Sequence, residues 1–142
     1  MDKNLIATAS ITTRAPRARA WQALVDPDAI RQYMFGTHAV SDWQEGSPIV
    51  WQGEWQGNTY QDKGVILQLA PGCRLQYSHF SPLSGMPDLP ENYHTVTIEL
   101  ADAGDQTRIT LTQDHNTSDE EVEHSAGNWT MMLASLKEFL EK

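Results

Sequence analysis

The stretch that decides the fold is the C-terminal segment Ser118–Leu140, SDEEVEHSAGNWTMMLASLKEFL. Its first four residues form a capping box, in which the Ser118 hydroxyl and the Glu121 carboxylate each satisfy a free backbone N–H of the first helical turn. Apolar residues then recur at a spacing of about 3.6, which is the period of a helix with one buried face. They are Val122, Ala126, Trp129, Leu133, Leu136 and Leu140. We therefore predict a long C-terminal helix that packs this face against the rest of the chain.

The residues before this helix indicate a strand, two short helices and then six more strands. Residues 4–13 favour a strand, and Pro16 starts a helix because its missing N–H costs nothing there. Asp26 starts a second short helix, which Gly36 ends. Six consecutive strands separated by turn residues predict an antiparallel meander, whose buried face the long helix covers. These strands are predicted at 37–43, 48–56, 59–70, 73–80, 93–101 and 106–115.

Composition narrows the class of protein and of partner. The 142 residues suit one domain over 1–142, and a net charge of −9 without a basic cluster argues against nucleic acid as a partner. The longest apolar run has four residues, 131–134, so we expect neither membrane insertion nor a signal peptide. Cys73 stands alone, which excludes an internal disulfide and suits a cytoplasmic protein.

The order of these elements resembles the α+β helix-grip fold of the START and birch-pollen-allergen superfamily (SRPBCC). Within it, the chain resembles the group named after the activator of the heat-shock chaperone ATPase, and residues 79–97 resemble a bacterial single-domain branch of that group. The resemblance implies a seven-stranded curved antiparallel sheet, two short helices and a long C-terminal helix. It is carried by Ala15-Pro16, Trp21-Gln22-Ala23-Leu24, Asp26-Pro27, Pro71-Gly72, Leu75-Gln76-Tyr77 and Gly127-Asn128-Trp129.

The chain departs from the group at two places. Tyr33-Met34 stands where many members have tryptophans, and Glu45-Gly46-Ser47-Pro48 stands where many have a Gly-Gly pair. The resemblance also implies a stress-response partner, a heat-shock chaperone. The eukaryotic co-chaperone uses a separate N-terminal domain for much of that binding, and we expect these residues to form the helix-grip domain alone.

Alternation along the predicted strands places polar side chains on the buried face. His79, His94 and His115 have the parity of the apolar residues on their strands, and so has Gln113. Because neighbouring strands of a meander are antiparallel, we expect the three histidines to cluster at one edge of the sheet. The connection 81–91 contains three prolines and a glycine, so we expect it to cap this edge as a lid.

Aromatic residues on the same face predict an apolar cavity between the sheet and the C-terminal helix. Trp51 and Trp55 share a face of one strand, Tyr77 lies on another, and Trp129 lies in the helix stripe. Such walls with few polar groups are typical of a site for a hydrophobic small molecule. The candidate ligand-binding residues are Trp51, Trp55, Tyr77, His79, His94, Gln113, His115 and Trp129.

Other interpretations of the same residues remain open. The histidines can be structural and hold lid carbonyls, and the tryptophans can be core. Three imidazoles match the ligand type of a zinc site, but strands lie about 5 Å apart and nothing holds the rings within reach of one ion. We assign no metal, no cofactor and no catalytic residue. The preferred function is binding of a hydrophobic ligand, and the alternatives are a co-chaperone acting on the ATPase and a cyclase- or dehydratase-type enzyme that uses a cavity histidine.

Overall fold

A computed structural model describes residues 5–55, 57–82 and 85–142, with only the backbone described for Trp55. Within these ranges the chain forms seven strands, three α-helices and a short 3₁₀ turn at Pro90–Asn92. No helix among the described residues is long and apolar enough to cross a membrane. In chain order the elements are β1 (Ala7–Thr13), α1 (Arg17–Leu24), α2 (Pro27–Tyr33), β2 (His38–Ser41), β3 (Pro48–Trp55), β4 (Asn58–Ala70), β5 (Arg74–His79), β6 (His94–Ala103), β7 (Gln106–Gln113) and α3 (Asp119–Leu140).

The strands form one antiparallel sheet in the order β1-β7-β6-β5-β4-β3-β2. Strands β2 to β7 follow one another as the predicted meander, and β1 pairs with β7 so that Ala7 faces Gln113. The predicted helix-grip architecture is therefore confirmed, with strand ends that differ from the predicted ones by a few residues.

The junction of β4 and β5 is unusually tight. Their register shifts between Ile66 and Gln68, and a Cβ atom added at Gly64 would lie 1.7 Å from the Ser78 carbonyl oxygen. Since no real Cβ tolerates that distance, only glycine lets β5 approach β4 here. This close approach sets the position of His79, the last residue of β5.

Helix α3 begins where the capping box predicts. The Glu121 N–H donates to Ser118 Oγ at 3.1 Å. The Glu121 carboxylate reaches one residue further back than expected, where it accepts from the Thr117 N–H at 3.3 Å and the Thr117 hydroxyl at 2.9 Å. Both ends of the box therefore satisfy polar groups at the start of the helix.

The apolar stripe of α3 is divided into two halves. Leu133 and Leu136 are fully buried against the sheet, and Leu140 is 5% exposed. In the N-terminal half, Val122 and Trp129 are only half-buried. The helix thus packs tightly on the sheet at its C-terminal end, while its N-terminal half borders a cavity.

The C-terminal end of α3 is tied to the start of the chain. Glu141 accepts hydrogen bonds from the Thr13 hydroxyl at 2.9 Å and from the Arg14 N–H at 3.1 Å, and the Arg14 Nε–H donates to its other oxygen at 3.2 Å. These bonds, that of the Arg14 backbone first, lower the pKa of Glu141. The contacts hold the end of α3 over β1.

Candidate functional site

A cavity of about 320 Å³ lies between the sheet and the N-terminal half of α3. Its walls come from four parts of the chain: the segment after α2, strands β3 to β5, the end of β7, and α3. The volume lies within the range of small-molecule sites. The lining side chains used below are those of Met34, Phe35, Thr37, Trp51, Glu54, Tyr60, Asp62, Tyr77, His79, Gln113, Ser125, Asn128, Trp129 and Met132.

The inner wall is apolar and held by ring contacts. The Trp51 ring lies 4.9 Å from the Tyr77 ring and 5.0 Å from the His79 ring, centroid to centroid. Trp51 and Tyr77 are 5% and 6% exposed, and burial raises the pKa of the Tyr77 hydroxyl. Met132 of α3 closes the wall from the other side. The predicted positions of these two aromatic residues on the cavity face are those observed.

A histidine–carboxylate pair forms the polar part of this wall. His79 Nε2 lies 3.0 Å from Asp62 Oδ2, and because an ionised carboxylate can only accept, the Nε2–H donates. Asp62 is the cross-strand neighbour of Trp51, which places the carboxylate beside the aromatic wall. The other carboxylate oxygen, Oδ1, is buried and has no hydrogen-bond donor among the described residues.

The sequence analysis missed Asp62, although strand parity could have found it. Asp62 shares its parity on β4 with Ile66, which is fully buried, and with Tyr60, which also lines the cavity. Charged residues rarely face the interior, so an aspartate with inward parity is a candidate site residue.

A second hydrogen-bonded pair orders the outer wall. The Thr37 hydroxyl donates to the Met34 carbonyl at 2.7 Å, so the Tyr60 hydroxyl, 2.6 Å from Thr37 Oγ1, must be the donor in their contact. Gly53 makes this arrangement feasible, because a Cβ atom there would lie 2.5 Å from the Tyr60 hydroxyl oxygen. The Tyr60 oxygen therefore keeps only acceptor capacity.

Gln113 joins the sheet to α3 across the cavity. Its Oε1 accepts from Trp129 Nε1–H at 2.6 Å, and its Nε2 donates to Ser125 Oγ at 3.3 Å and Asn116 Oδ1 at 3.1 Å. Gln113 itself is 7% exposed. Trp129, one of the candidate ligand-binding residues, is half-buried and lines the cavity, and its indole N–H points to this glutamine.

Three of the residues that line the cavity are exposed and therefore mark its opening to solvent. These are Phe35, which is 62% exposed, Glu54 and Asn128. Phe35 adopts a left-handed backbone conformation with φ 56°, which is rare for a bulky residue. The segment that joins α2 to β2 therefore presents a strained, exposed aromatic residue at the opening.

The structure divides the three histidines between two cavities. His79 lines the main cavity, whereas His94 and His115 border a second one of about 390 Å³ near the start of α3. His79 and His94 are direct cross-strand partners, so these two lie at one edge of the sheet as predicted. The prediction that all three histidines share one site is wrong. The His94 Nδ1–H donates to the Asp114 carbonyl at 2.8 Å.

His115 does not lie on a strand. The ladder of β7 ends at Gln113, and His115 then adopts φ 61° and is exposed. The predicted inward position is wrong because parity holds only while a strand continues. The chain turns here to reach the Ser118 cap of α3.

The described part of the predicted lid, residues 81–82 and 85–91, borders the second cavity and not the main one. None of the described residues in 81–91 lines it, and Met86 and Glu91 border the second cavity instead. Asp88 forms an ion pair with Lys63 and accepts from the Tyr93 hydroxyl at 2.6 Å, contacts that lower the pKa of Asp88. These contacts hold Asp88 beside the exposed Lys63 of β4.

Trp55 ends β3, but its side chain lies outside the described residues, so its place in the cavity stays a prediction. In the ranges that the structure describes, no three His, Cys, Asp or Glu side chains come together closely enough to hold a metal ion.

A seven-stranded antiparallel sheet that grips a long C-terminal helix, with a cavity between the two, defines the helix-grip class of protein. The chain belongs to the family described as Activator of Hsp90 ATPase homolog 1-like protein, whose profile matches residues 14–141. A comparison with curated proteins gave no match.

Solved structures of similar proteins support this assignment. The solution structure of ChR145 from Cytophaga hutchinsonii is 55% identical, with a TM-score of 0.86 over 99% of this chain and 97% of that chain. The Aha1 dimer from Colwellia psychrerythraea is 21% identical, with a TM-score of 0.74 over 96% of each chain. CalU16 from Micromonospora echinospora is 23% identical, with a TM-score of 0.72 over 97% of this chain and 85% of that chain. The last two show the fold alone.

Proposed function

We propose that this protein binds a hydrophobic small molecule in the main cavity. The observation that carries the proposal is a space of about 320 Å³ beside a well-packed core. Protein interiors have few voids larger than a water molecule, so a space of this size beside buried aromatic rings suits an occupant. Trp51, Tyr77 and Met132 supply the apolar contact surface.

The hydrogen bonds around the cavity support a preformed site. Trp129 and Ser125 of α3 are both bonded to Gln113, and Tyr60 is bonded to Thr37. These contacts hold the helix and the outer wall at fixed distances from the sheet. A preformed site loses less conformational entropy on binding than one that must be assembled.

A fluorescent probe tests the proposal directly. N-phenyl-1-naphthylamine is uncharged, apolar and brighter in apolar surroundings, and we expect it to bind one site per chain. Asn128→Trp puts a large side chain at the mouth from an exposed helix position, so we expect it to reduce probe binding at least about tenfold.

Thr130→Trp is the matched control, because Thr130 is exposed on the same helix and does not line the cavity. We expect it to bind the probe as the natural protein does. Equal probe binding by both variants, or no fluorescence gain with the natural protein, would contradict the proposal.

A second candidate function is binding to an Hsp90-type chaperone. The family description names such an activity, and the outer face of the sheet carries exposed apolar side chains at Val40, Val65 and Leu67. Val40 is 58% exposed and Leu67 is 46% exposed, which suits a protein contact.

Titration of the chaperone from the same organism tests this function through the chaperone's ATPase rate. Leu67→Lys is expected to weaken any stimulation, and Glu99→Gln on another strand to leave it unchanged. A rate that does not respond to the natural protein would dispose of this candidate.

A further inference from the structure

The polar groups of the main cavity include several acceptors that have no hydrogen left to donate. The Tyr60 hydroxyl has given its hydrogen to Thr37, and Asp62 and Glu54 contribute carboxylates. Of the described residues that line the cavity, none is a lysine or an arginine. At these three groups, only a ligand that brings a hydrogen-bond donor can form a hydrogen bond.

The Asp62 carboxylate is the less exposed of the two carboxylates, and only one of its oxygens has a donor among the described residues. His79 holds only Oδ2, and Oδ1 is buried with no donor among the described residues. Buried polar atoms are nearly always hydrogen-bonded, so an unpaired carboxylate oxygen at a cavity wall calls for a partner. Because the Cβ–Cγ torsion of aspartate is broad, the carboxylate can turn this oxygen toward a donor in the cavity.

The negative charge of the chain and of Asp62 also favours a ligand with a hydrogen-bond donor. The chain carries a net charge of −9, and the Asp62 side chain is only 17% exposed, so its field in the cavity is weakly screened. A ligand carboxylate beside Asp62 would meet a like charge with no described cation on the wall to offset it. A hydroxyl or an ammonium group would meet a charged acceptor, which makes the stronger kind of hydrogen bond.

We propose that the ligand has an apolar body, a hydrogen-bond donor and no carboxylate, and that Asp62 accepts the donor through the oxygen that His79 does not hold. This inference rests on the proposed function of the cavity and names the class of molecule that it takes. Trp51 and Tyr77 contact the apolar body, while His79 orients the carboxylate.

Calorimetric titrations at neutral pH with four probes of one ring system test the proposal. They are 2-naphthol, 2-methoxynaphthalene, 2-naphthoate and 2-naphthylmethylamine. We expect 2-naphthol to bind at least about tenfold more tightly than the methyl ether, since a hydrogen bond to a charged group is worth that ratio. We expect 2-naphthoate to bind most weakly of the four. The amine compared with the naphthol shows whether the preferred donor is charged.

Asp62→Asn keeps the shape of the side chain and removes its charge. In this variant we expect naphthol and its ether to bind within about threefold of each other, and naphthoate to bind more tightly than to the natural protein. Glu99→Gln is the matched control, since it removes one charge from an exposed position of β6 outside the cavity and should keep the naphthol preference.

The outcomes separate this inference from the proposed function. If N-phenyl-1-naphthylamine binds but naphthol does not exceed its ether, or if Asp62→Asn keeps the preference, the assignment to Asp62 is overturned and the cavity remains a ligand site. If neither that dye nor any naphthyl probe binds, the proposed function fails as well. The comparison of naphthol with its ether needs only the natural protein, so it decides the question even if the variant folds poorly.

Discussion

The hydrogen bond between Trp129 and Gln113 joins α3 to the sheet, and a change at Trp129 measures its worth. Trp129→Phe keeps an aromatic ring but removes the N–H that donates to Gln113 Oε1 at 2.6 Å. Because Gln113 is only 7% exposed, its carbonyl oxygen is left buried without this donor. Leaving such a group unpaired costs about 1–3 kcal/mol, and we expect the free energy of unfolding to fall by that amount.

A double-mutant cycle separates this bond from the loss of ring area. Gln113→Met removes the acceptor with little change in volume, so Trp129→Phe made in that background should cost about 1–2 kcal/mol less than in the natural protein. Urea denaturation at constant pH, followed by far-ultraviolet circular dichroism, gives the four free energies. Leu136→Val, about two turns further along α3, is the control and should cost the same in both backgrounds. A coupling below about 0.5 kcal/mol would refute the view that this bond holds α3 in place.

Three further predictions follow from particular backbone and side-chain positions. Gly64→Ala should destabilise the protein by about 1–3 kcal/mol in urea melts, because the new Cβ atom meets the backbone of β5. Gly127→Ala is the control on the exposed side of α3, where the new Cβ atom meets nothing, and it should stabilise the protein by about 0.5–1 kcal/mol. Phe35→Asn should raise stability by about 0.5–1 kcal/mol, because asparagine tolerates the left-handed backbone, and a lower melting temperature would count against strain there. The hydrogen bonds of Arg14 lower the pKa of Glu141, so the carboxylate stabilises the fold above its ordinary pKa, and this contribution is lost as the pH falls through the lowered value. Glu141→Gln should therefore lower the melting temperature at pH 7, and the difference from the natural protein should vanish in acid; a difference that persists there would contradict this account.

The sequence by itself determined the elements and their order. The stripe of α3, its Ser118 cap and the proline and aspartate that start α1 and α2 are local signals, because each depends on residues within a few positions of one another. The meander follows from short turns between consecutive strands. Strand alternation also placed Trp51, Tyr77 and Gln113 on the inner face, where the structure has them.

Only the tertiary structure decided where each strand ends and which side chains come into contact across the sheet. His115 has inward parity, but β7 ends two residues earlier, where the chain turns toward the cap of α3. The connection 81–91 has the composition of a lid, yet the ion pair of Asp88 with Lys63 holds it beside β4. Asp62 and His79 meet because Gly64 admits the backbone of β5, a contact between residues on different strands. Such contacts depend on how far apart two elements lie, and the period of a single element carries no information about that distance.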